Sequence, residues 1–186
     1  MFNKSIVPPL RLTFIMWAVF VIGYYGNLEL GFLGVKPRTL TGLLGIFTMP
    51  LVHGSVGHIV SNTLPLIILG SALYLFYDKI ASRVFLMCYF VTGLLVWLFA
   101  RNAYHIGASG LIYGIAGFLI SIGFFRKDIK SIIISIITIV SYGGMVYGLL
   151  PIDSGVSFEG HLMGAIVGLF AAYLYKNKPA KNNSYK

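Results

Sequence analysis

Apolar residues along this chain occur in long runs that short polar stretches separate. A run of about 20 apolar residues is long enough to cross the hydrocarbon core of a bilayer as a helix. The pattern predicts six such spans, which cover residues 12–27, 56–77, 80–100, 107–125, 129–149 and 159–175. We therefore expect an all-α membrane protein built as a bundle of six transmembrane helices.

Most connections between the predicted spans are short, but residues 28–55 form a long one. This segment is too apolar for a solvated loop, and its glycines and Pro50 make it a poor spanning helix. A simple linker is the alternative. The apolar content instead favours an interfacial element that dips into the membrane on its outer side.

Composition supports the membrane assignment, since 58% of the residues are hydrophobic and only 10% are charged. Soluble domains average about 25% charged residues. The apolar run after Arg11 is longer than a signal-peptide core and lacks a small-residue cleavage site, so we expect it to remain as the first span. The length suits one membrane domain, residues 1–175, followed by a polar cytoplasmic tail, residues 176–186.

The net charge of +9 has its explanation in the distribution of the basic residues. Only Lys36, Arg38 and Arg101 fall on one side of the predicted bundle, and the other basic residues fall on the opposite side. The positive-inside rule makes the richer side cytoplasmic, and an even number of spans places both termini there. The charge is thus a topology signal, and we expect no nucleic-acid partner. Short loops without organelle-targeting features favour a bacterial plasma (inner) membrane.

Polar groups at membrane depth are costly, so each one needs a reason. Three polar clusters stand out, at residues 53–62, 107–114 and 160–168. His58, Ser109 and His161 each lie within the first few residues of the second, fourth or sixth span. These three spans run inward from the outer side, so the rise of about 1.5 Å per residue puts the three side chains at a similar depth.

Glycines at spacings of three and four give the fourth and sixth spans a reason to touch, because small residues let membrane helices pack backbone to backbone. Ser109 and His161 then come within hydrogen-bond reach. A neutral imidazole can take the serine proton and make the hydroxyl a nucleophile. The alternative is a structural hydrogen bond between the two helices. The glycines are Gly107, Gly110, Gly114 and Gly117 in one span and Gly160, Gly164 and Gly168 in the other.

His58 and Asn62 are four residues apart and share a helix face. Both side chains can donate hydrogen bonds to the oxyanion of an acyl-transfer reaction, and the Ser109 backbone N–H near a helix N-terminus adds a third donor. Alternatively, these side chains form a polar contact that ties helix ends together.

A third triad member is not evident. Glu159, two residues before His161, faces another direction on the helix. Asp153 in the preceding loop remains a candidate for the third member. Tyr113 can pack against the imidazole. His53 and His58 are five residues apart, which suits one metal ion poorly, and the chain has no His-Glu-x-x-His pattern. We predict neither a metal nor another cofactor.

These clusters resemble the motifs of the rhomboid family of intramembrane serine proteases, in the family's order and over residues 10–175. The resemblance implies that Ser109 is the nucleophile, that His161 is the general base and that Tyr113 stacks on His161. It also implies an oxyanion hole of His58, Asn62 and the Ser109 N–H. The matching motifs are His58-x-x-x-Asn62, Gly107-x-Ser109-Gly110 with Tyr113, and His161-x-x-Gly164-x-x-x-Gly168.

The same resemblance makes residues 28–55 the family's membrane-dipped first loop. Rhomboids often carry Trp-Arg early in that loop, where this chain has Pro37-Arg38. His53 matches a loop histidine to which the resemblance assigns a structural role.

The activity implied is that of a serine endopeptidase that cleaves single-span membrane proteins near the outer membrane surface through an acyl-enzyme. Its partners would be transmembrane protein substrates and the lipid bilayer; the sequence indicates no oligomeric state. The isoleucine-rich fifth span and residues 150–158 are our predicted lateral entrance and cap. A catalytically inactive rhomboid-like protein that binds membrane clients is the alternative. A channel is disfavoured because the polar groups cluster at one depth.

Overall fold

Helices make up most of the part of the chain that the computed structural model describes, residues 2–151 and 155–180. Tighter turns at Leu30–Leu33, Met49–Leu51 and Gly143–Leu149 and a π-helical turn at Met87–Val91 complete the helical structure. The α-helices are α1 (Phe2–Tyr25), α2 (Leu40–Thr48), α3 (Val56–Phe76), α4 (Asp78–Leu86), α5 (Thr92–Phe99), α6 (Ser109–Arg126), α7 (Ile129–Tyr142) and α8 (Phe158–Tyr175).

Six helical segments among these residues are long and apolar enough to cross a membrane. They are α1, α3, the continuous pair α4–α5, α6, α7 with its following turn, and α8. The six-span prediction is therefore confirmed, and this is an integral, multi-pass membrane protein.

The first helix begins well before the predicted residue 12, at Phe2, and includes Pro8 and Pro9. Proline removes a backbone donor, and because Pro8 and Pro9 lie past the first four residues of α1, each one removes a hydrogen bond from the helix. Pro9 also packs closely on α3, since a Cβ on Gly70 would lie 2.7 Å from the Pro9 Cβ. This tertiary contact favours the extra turns.

Helix α6 forms the centre of the bundle, with α3, α7, α8 and α4–α5 packed around it. The core side chains of α6 include Leu111, Ile115, Phe118, Leu119 and Ile122. Lipid tails are as apolar as these side chains, so close packing rather than escape from water holds such helices together.

The contact between α6 and α8 is made by backbone. A Cβ on Gly164 would overlap the carbonyl oxygen of Gly110, and one on Gly168 would overlap that of Gly114. The predicted glycine-mediated approach of these two helices is confirmed. No other residue type leaves room for the two backbones to meet at these points.

The long first connection folds as the short helix α2 between two tight turns. The segment just before α2 is fixed to the end of α5, because the Arg38 guanidinium donates to the carbonyls of Leu98 at 3.2 Å and Ala100 at 2.9 Å. The indole of Trp97 donates to the Thr39 carbonyl at 2.8 Å. Arg38 thus anchors the loop without a preceding tryptophan. The exposed apolar side chains of α2 include Leu40, Leu43, Leu44 and Phe47.

At the opposite end, the chain after α8 turns back onto the bundle. The Arg126 guanidinium donates to the Lys178 carbonyl at 3.1 Å, and the Lys79 backbone N–H donates to the Ala180 carbonyl at 3.4 Å. Residues 176–180 are therefore docked. Residues 181–186 of the predicted tail lie outside the described residues, and the division into domain and tail stays a prediction.

Candidate active site

Ser109 and His161 meet at the starts of α6 and α8, as the sequence predicts. Ser109 is the first residue of α6, and His161 lies in the first turn of α8. The Ser109 Oγ and the His161 Nε2 are 2.8 Å apart, a normal hydrogen-bond distance. The backbone contact between the two helices brings these side chains within reach of each other.

The orientation of the His161 ring is fixed from two directions. Its Nδ1 lies 2.8 Å from the Gly148 carbonyl oxygen. Because a carbonyl only accepts, Nδ1 carries the hydrogen and Nε2 is left to accept the Ser109 hydroxyl proton. The Tyr113 ring stacks on the imidazole, with centroids 4.1 Å apart and planes at 4°. This is the tautomer that a general base requires.

The Gly148 carbonyl was not predicted, because a backbone oxygen leaves no side-chain signal in a sequence. The same turn holds Tyr113, whose hydroxyl donates to the Met145 carbonyl at 2.8 Å. Glu159 was expected to face away from His161, and it pairs with Arg101, with 3.4 Å between its Oε2 and the Arg101 Nη1. Asp153 lies outside the described residues.

His58 lies directly over Gly107. A Cβ on Gly107 would be 2.6 Å from the His58 Nε2, and Gly107 has a φ of 103°, which side chains rarely adopt. Glycine is therefore required here both for the space that His58 occupies and for the backbone conformation.

No side chain caps the start of α6, since its N-cap residue is Ala108. The first N–H groups of α6 stay available to an anion.

Asn62 is only 4% exposed and sits one turn after His58 on the same helix. Its Nδ2 donates to the His58 carbonyl at 2.8 Å, and its Oδ1 has no partner among the described residues. One Nδ2 hydrogen is therefore engaged with the backbone. The second remains available to a further acceptor.

A cavity of about 790 Å³ joins these groups. The volume is enough for several side chains of an extended peptide. The predicted residues among those that line it are His58, Asn62, Ser109, Tyr113 and His161.

His53 packs behind the site, with its ring edge-on to that of His58 and 4.9 Å between centroids. Both of its ring nitrogens are buried without a hydrogen-bond partner in the described structure. Burial and the neighbouring His58 lower the pKa of His53 to about 4, so the ring is neutral at pH 7. Within the described residues, no group of three or more His, Cys, Asp or Glu side chains is placed to hold a metal ion.

Comparison with known proteins agrees with the motif resemblance, since the family model of the rhomboid domain matches residues 41–178. The chain belongs to the rhomboid family. Uncharacterized proteins of Mycobacterium tuberculosis and Mycobacterium bovis are 33% identical over 186 residues, covering 94% of this chain and 78% of theirs. An uncharacterized Mycobacterium leprae protein is 34% identical over 162 residues, covering 82% and 64%. The family membership predicted from the sequence is confirmed.

A second cavity of this rhomboid, about 490 Å³, opens between α3 and α7. Its lining is almost entirely apolar and includes Ile68 and Ala72 of α3 and Ile133 and Ile137 of α7. Tyr142 lines both this crevice and the cavity that holds Ser109. The apolar crevice and the polar cavity are thus neighbours that share Tyr142 in their walls.

Proposed function

We propose that this rhomboid is a serine endopeptidase that cleaves transmembrane proteins with a Ser109–His161 dyad. The observation that supports the proposal best is the 2.8 Å contact between Ser109 Oγ and His161 Nε2. The Gly148 carbonyl and the Tyr113 ring hold the imidazole in the tautomer that can accept the serine proton.

In the proposed first step, Ser109 Oγ attacks the scissile carbonyl carbon while His161 Nε2 takes the hydroxyl proton. The resulting oxyanion receives hydrogen bonds from the Ser109 N–H, His58 and the free Nδ2 hydrogen of Asn62. His161 then gives its proton to the leaving amine, the C–N bond breaks, and an acyl-enzyme remains.

In the second step, water attacks the ester and His161 takes a proton from it. Collapse of the second tetrahedral intermediate returns that proton to Ser109 and releases the new carboxyl terminus. The polar cavity around the dyad has room for this water. No metal or other cofactor takes part in either step.

The substrate proposed is a single-span membrane protein that enters through the apolar crevice between α3 and α7. A helical peptide bond hides its groups in i to i−4 hydrogen bonds, so the segment must unwind before attack. The crevice meets the polar cavity at Tyr142, where an unwound segment can exchange lipid for water.

A crosslink between the two helices tests the entrance. Cysteines at Ile68 and Ile137, which both line the crevice, are joined in a background that lacks the native Cys88. We expect the crosslink to stop cleavage of a membrane substrate and reduction to restore it. Full cleavage in the crosslinked protein would contradict the proposed route.

The proposed topology has the site near the outer surface of a bacterial plasma membrane and both termini in the cytoplasm. Attachment of a membrane-impermeant reagent to single cysteines placed at the termini tests it. Labelling of either terminus in intact cells would contradict the orientation.

A cleavage assay in detergent tests the activity. Wild type should cleave a single-span test substrate, and Ser109→Ala and His161→Ala should not. Ser121→Ala, on the same helix but away from the cavity, is the matched control and should keep wild-type activity. Binding of the substrate without cleavage by folded wild type would instead favour an inactive, client-binding protein.

A further inference from the structure

A second serine–histidine pair lies in the same cavity. The His105 Nδ1 and the Ser157 Oγ are 2.6 Å apart, and His105 is only 2% exposed. His105 lies in the loop that precedes α6, and Ser157 is the N-cap residue of α8. This pair therefore joins the two segments that lead into the nucleophile helix and the base helix.

The hydrogen positions in this pair follow from its other partners. The His105 Nε2 is 3.0 Å from the Arg101 carbonyl oxygen, which only accepts, so Nε2 carries the hydrogen. Nδ1 then accepts the Ser157 hydroxyl hydrogen. The Ser157 oxygen in turn accepts the Gly160 backbone N–H at 3.2 Å. Burial lowers the pKa of His105, which favours this neutral form.

Arg101 ties the same two segments together. Its guanidinium donates to the Val156 carbonyl at 2.9 Å and pairs with the Glu159 carboxylate at 3.4 Å. Its backbone N–H donates to the other Glu159 oxygen at 3.3 Å. His105 is also held from behind, because its backbone exchanges two hydrogen bonds of 2.9 Å with Val35.

These contacts lie on the loop side of the glycine packing, which ends where a Cβ on Gly110 would lie 3.1 Å from the Gly160 carbonyl oxygen. Ser109 and His161 sit in the first turns of their helices, which have fewer backbone hydrogen bonds within the helix than its interior has. A hydrogen bond between the two helix starts limits the motion of one reacting residue relative to the other. Positioning of reacting groups must be good to about 0.5 Å.

We infer that His105 and Ser157 are positioning residues that clasp the starts of α6 and α8 and hold Ser109 and His161 in register. The inference rests on the proposed protease function. Ser157 is not itself a second nucleophile, because its oxygen is engaged by the Gly160 N–H and its release would uncap α8.

Three substitutions of His105 separate the roles of its two nitrogens. In His105→Asn the amide oxygen takes the place of Nδ1 and can accept from Ser157. In His105→Gln the amide nitrogen takes the place of Nε2 and can donate to the Arg101 carbonyl. His105→Phe keeps a ring but makes neither bond. The bond between the helices is the one that positions the dyad, so Asn should restore activity and Gln should not.

Each purified variant is assayed for kcat, KM and the rate of labelling by a fluorophosphonate probe, alongside its thermal midpoint. We expect His105→Phe to lower kcat and the labelling rate by roughly 10- to 100-fold, with KM within about threefold of wild type. His105→Asn should recover at least half of the loss on a logarithmic scale. Ser157→Ala should resemble His105→Phe, and Ser157→Thr, which keeps the hydroxyl, should resemble wild type.

Thr39→Ala is the matched control, since Thr39 caps α2 through the same kind of bond to the Gly42 N–H. It should lower the thermal midpoint and leave kcat unchanged. The double variant of His105→Phe and Ser157→Ala should be no slower than the slower single variant, because both changes break one bond.

The inference is overturned if folded His105→Phe keeps the wild-type kcat, if Gln restores activity as well as Asn, or if the probe labels Ser157. Wild type that neither cleaves nor reacts with the probe overturns the proposed function and the inference with it. If wild type cleaves the substrate and reacts with the probe, and the His105 and Ser157 variants are equally active, only the inference is overturned.

Discussion

Replacement of Gly164 by alanine tests whether the α6–α8 backbone contact assembles the dyad. The new Cβ would overlap the Gly110 carbonyl oxygen and would lie 3.2 Å from the Gly114 nitrogen. Backbone atoms cannot rotate away as a side chain can. Helix α8 therefore has to move from α6 by on the order of 1 Å, and overpacking of this kind costs about 1–3 kcal/mol in stability.

The same movement lengthens the Ser109–His161 contact from 2.8 Å to beyond the range of a hydrogen bond. A misplacement of about 1 Å can cost roughly 100-fold in rate, so we expect a loss of that order in kcat. The assay is cleavage of a test substrate in detergent, with thermal unfolding measured on the same samples.

Alanine substitutions at two further glycines give results with which Gly164→Ala can be compared. A Cβ on Gly117, deeper in the same interface, would lie 2.9 Å from the Ala165 carbonyl oxygen, so Gly117→Ala should cost less in both rate and stability. A Cβ on Gly144 meets nothing within 4 Å, and Gly144→Ala should behave as wild type. A folded Gly164→Ala variant with wild-type kcat would show that the α6–α8 backbone contact does not position the dyad.

Three other predictions follow from single contacts. Tyr113→Phe keeps the ring stacked on His161 and should lose less than about fivefold in kcat, whereas Tyr113→Leu should lose at least tenfold. The pKa of His53 is about 4 in the folded protein against 6.5 unfolded, so lowering the pH from 7 to 5 should remove about 2 kcal/mol more stability from wild type than from His53→Phe. Burial alone would raise the pKa of Asp128, but hydrogen bonds from Ser131 and Arg126 lower it. Stability from this N-cap is therefore lost as the pH falls through the folded pKa, and Asp128→Ala should cost about 1 kcal/mol in unfolding experiments at pH 7.

The six spans were predictable because a bilayer sets helix length and apolar character directly. The early start of α1 was not, because Pro8 and Pro9 oppose a helix locally and the packing of Pro9 on Gly70 is a tertiary contact. The π-helical turn at Met87–Val91 was not predicted either. It carries Cys88, which packs closely on α6, since a Cβ on Gly114 would lie 2.8 Å from the Cys88 Sγ.

The meeting of Ser109 and His161 was predictable because topology set their depth and glycine spacing set the contact of their helices. Hydrogen-bond partners from the backbone could not be predicted, because no particular side chain marks them in the sequence. The Gly148 carbonyl that accepts from His161 is an example. The pairing of His105 with Ser157 was also missed. Nothing in the sequence indicates that two loop residues 52 positions apart face each other.

The proposed mechanism requires Ser109 to be a nucleophile that His161 activates. Mass-spectrometric mapping of a fluorophosphonate adduct on the purified protein tests this requirement. We expect one adduct, on Ser109, which is absent in Ser109→Ala and forms at least 100-fold more slowly in folded His161→Ala. An adduct on another serine, or substrate cleavage that persists in Ser109→Ala, would contradict it.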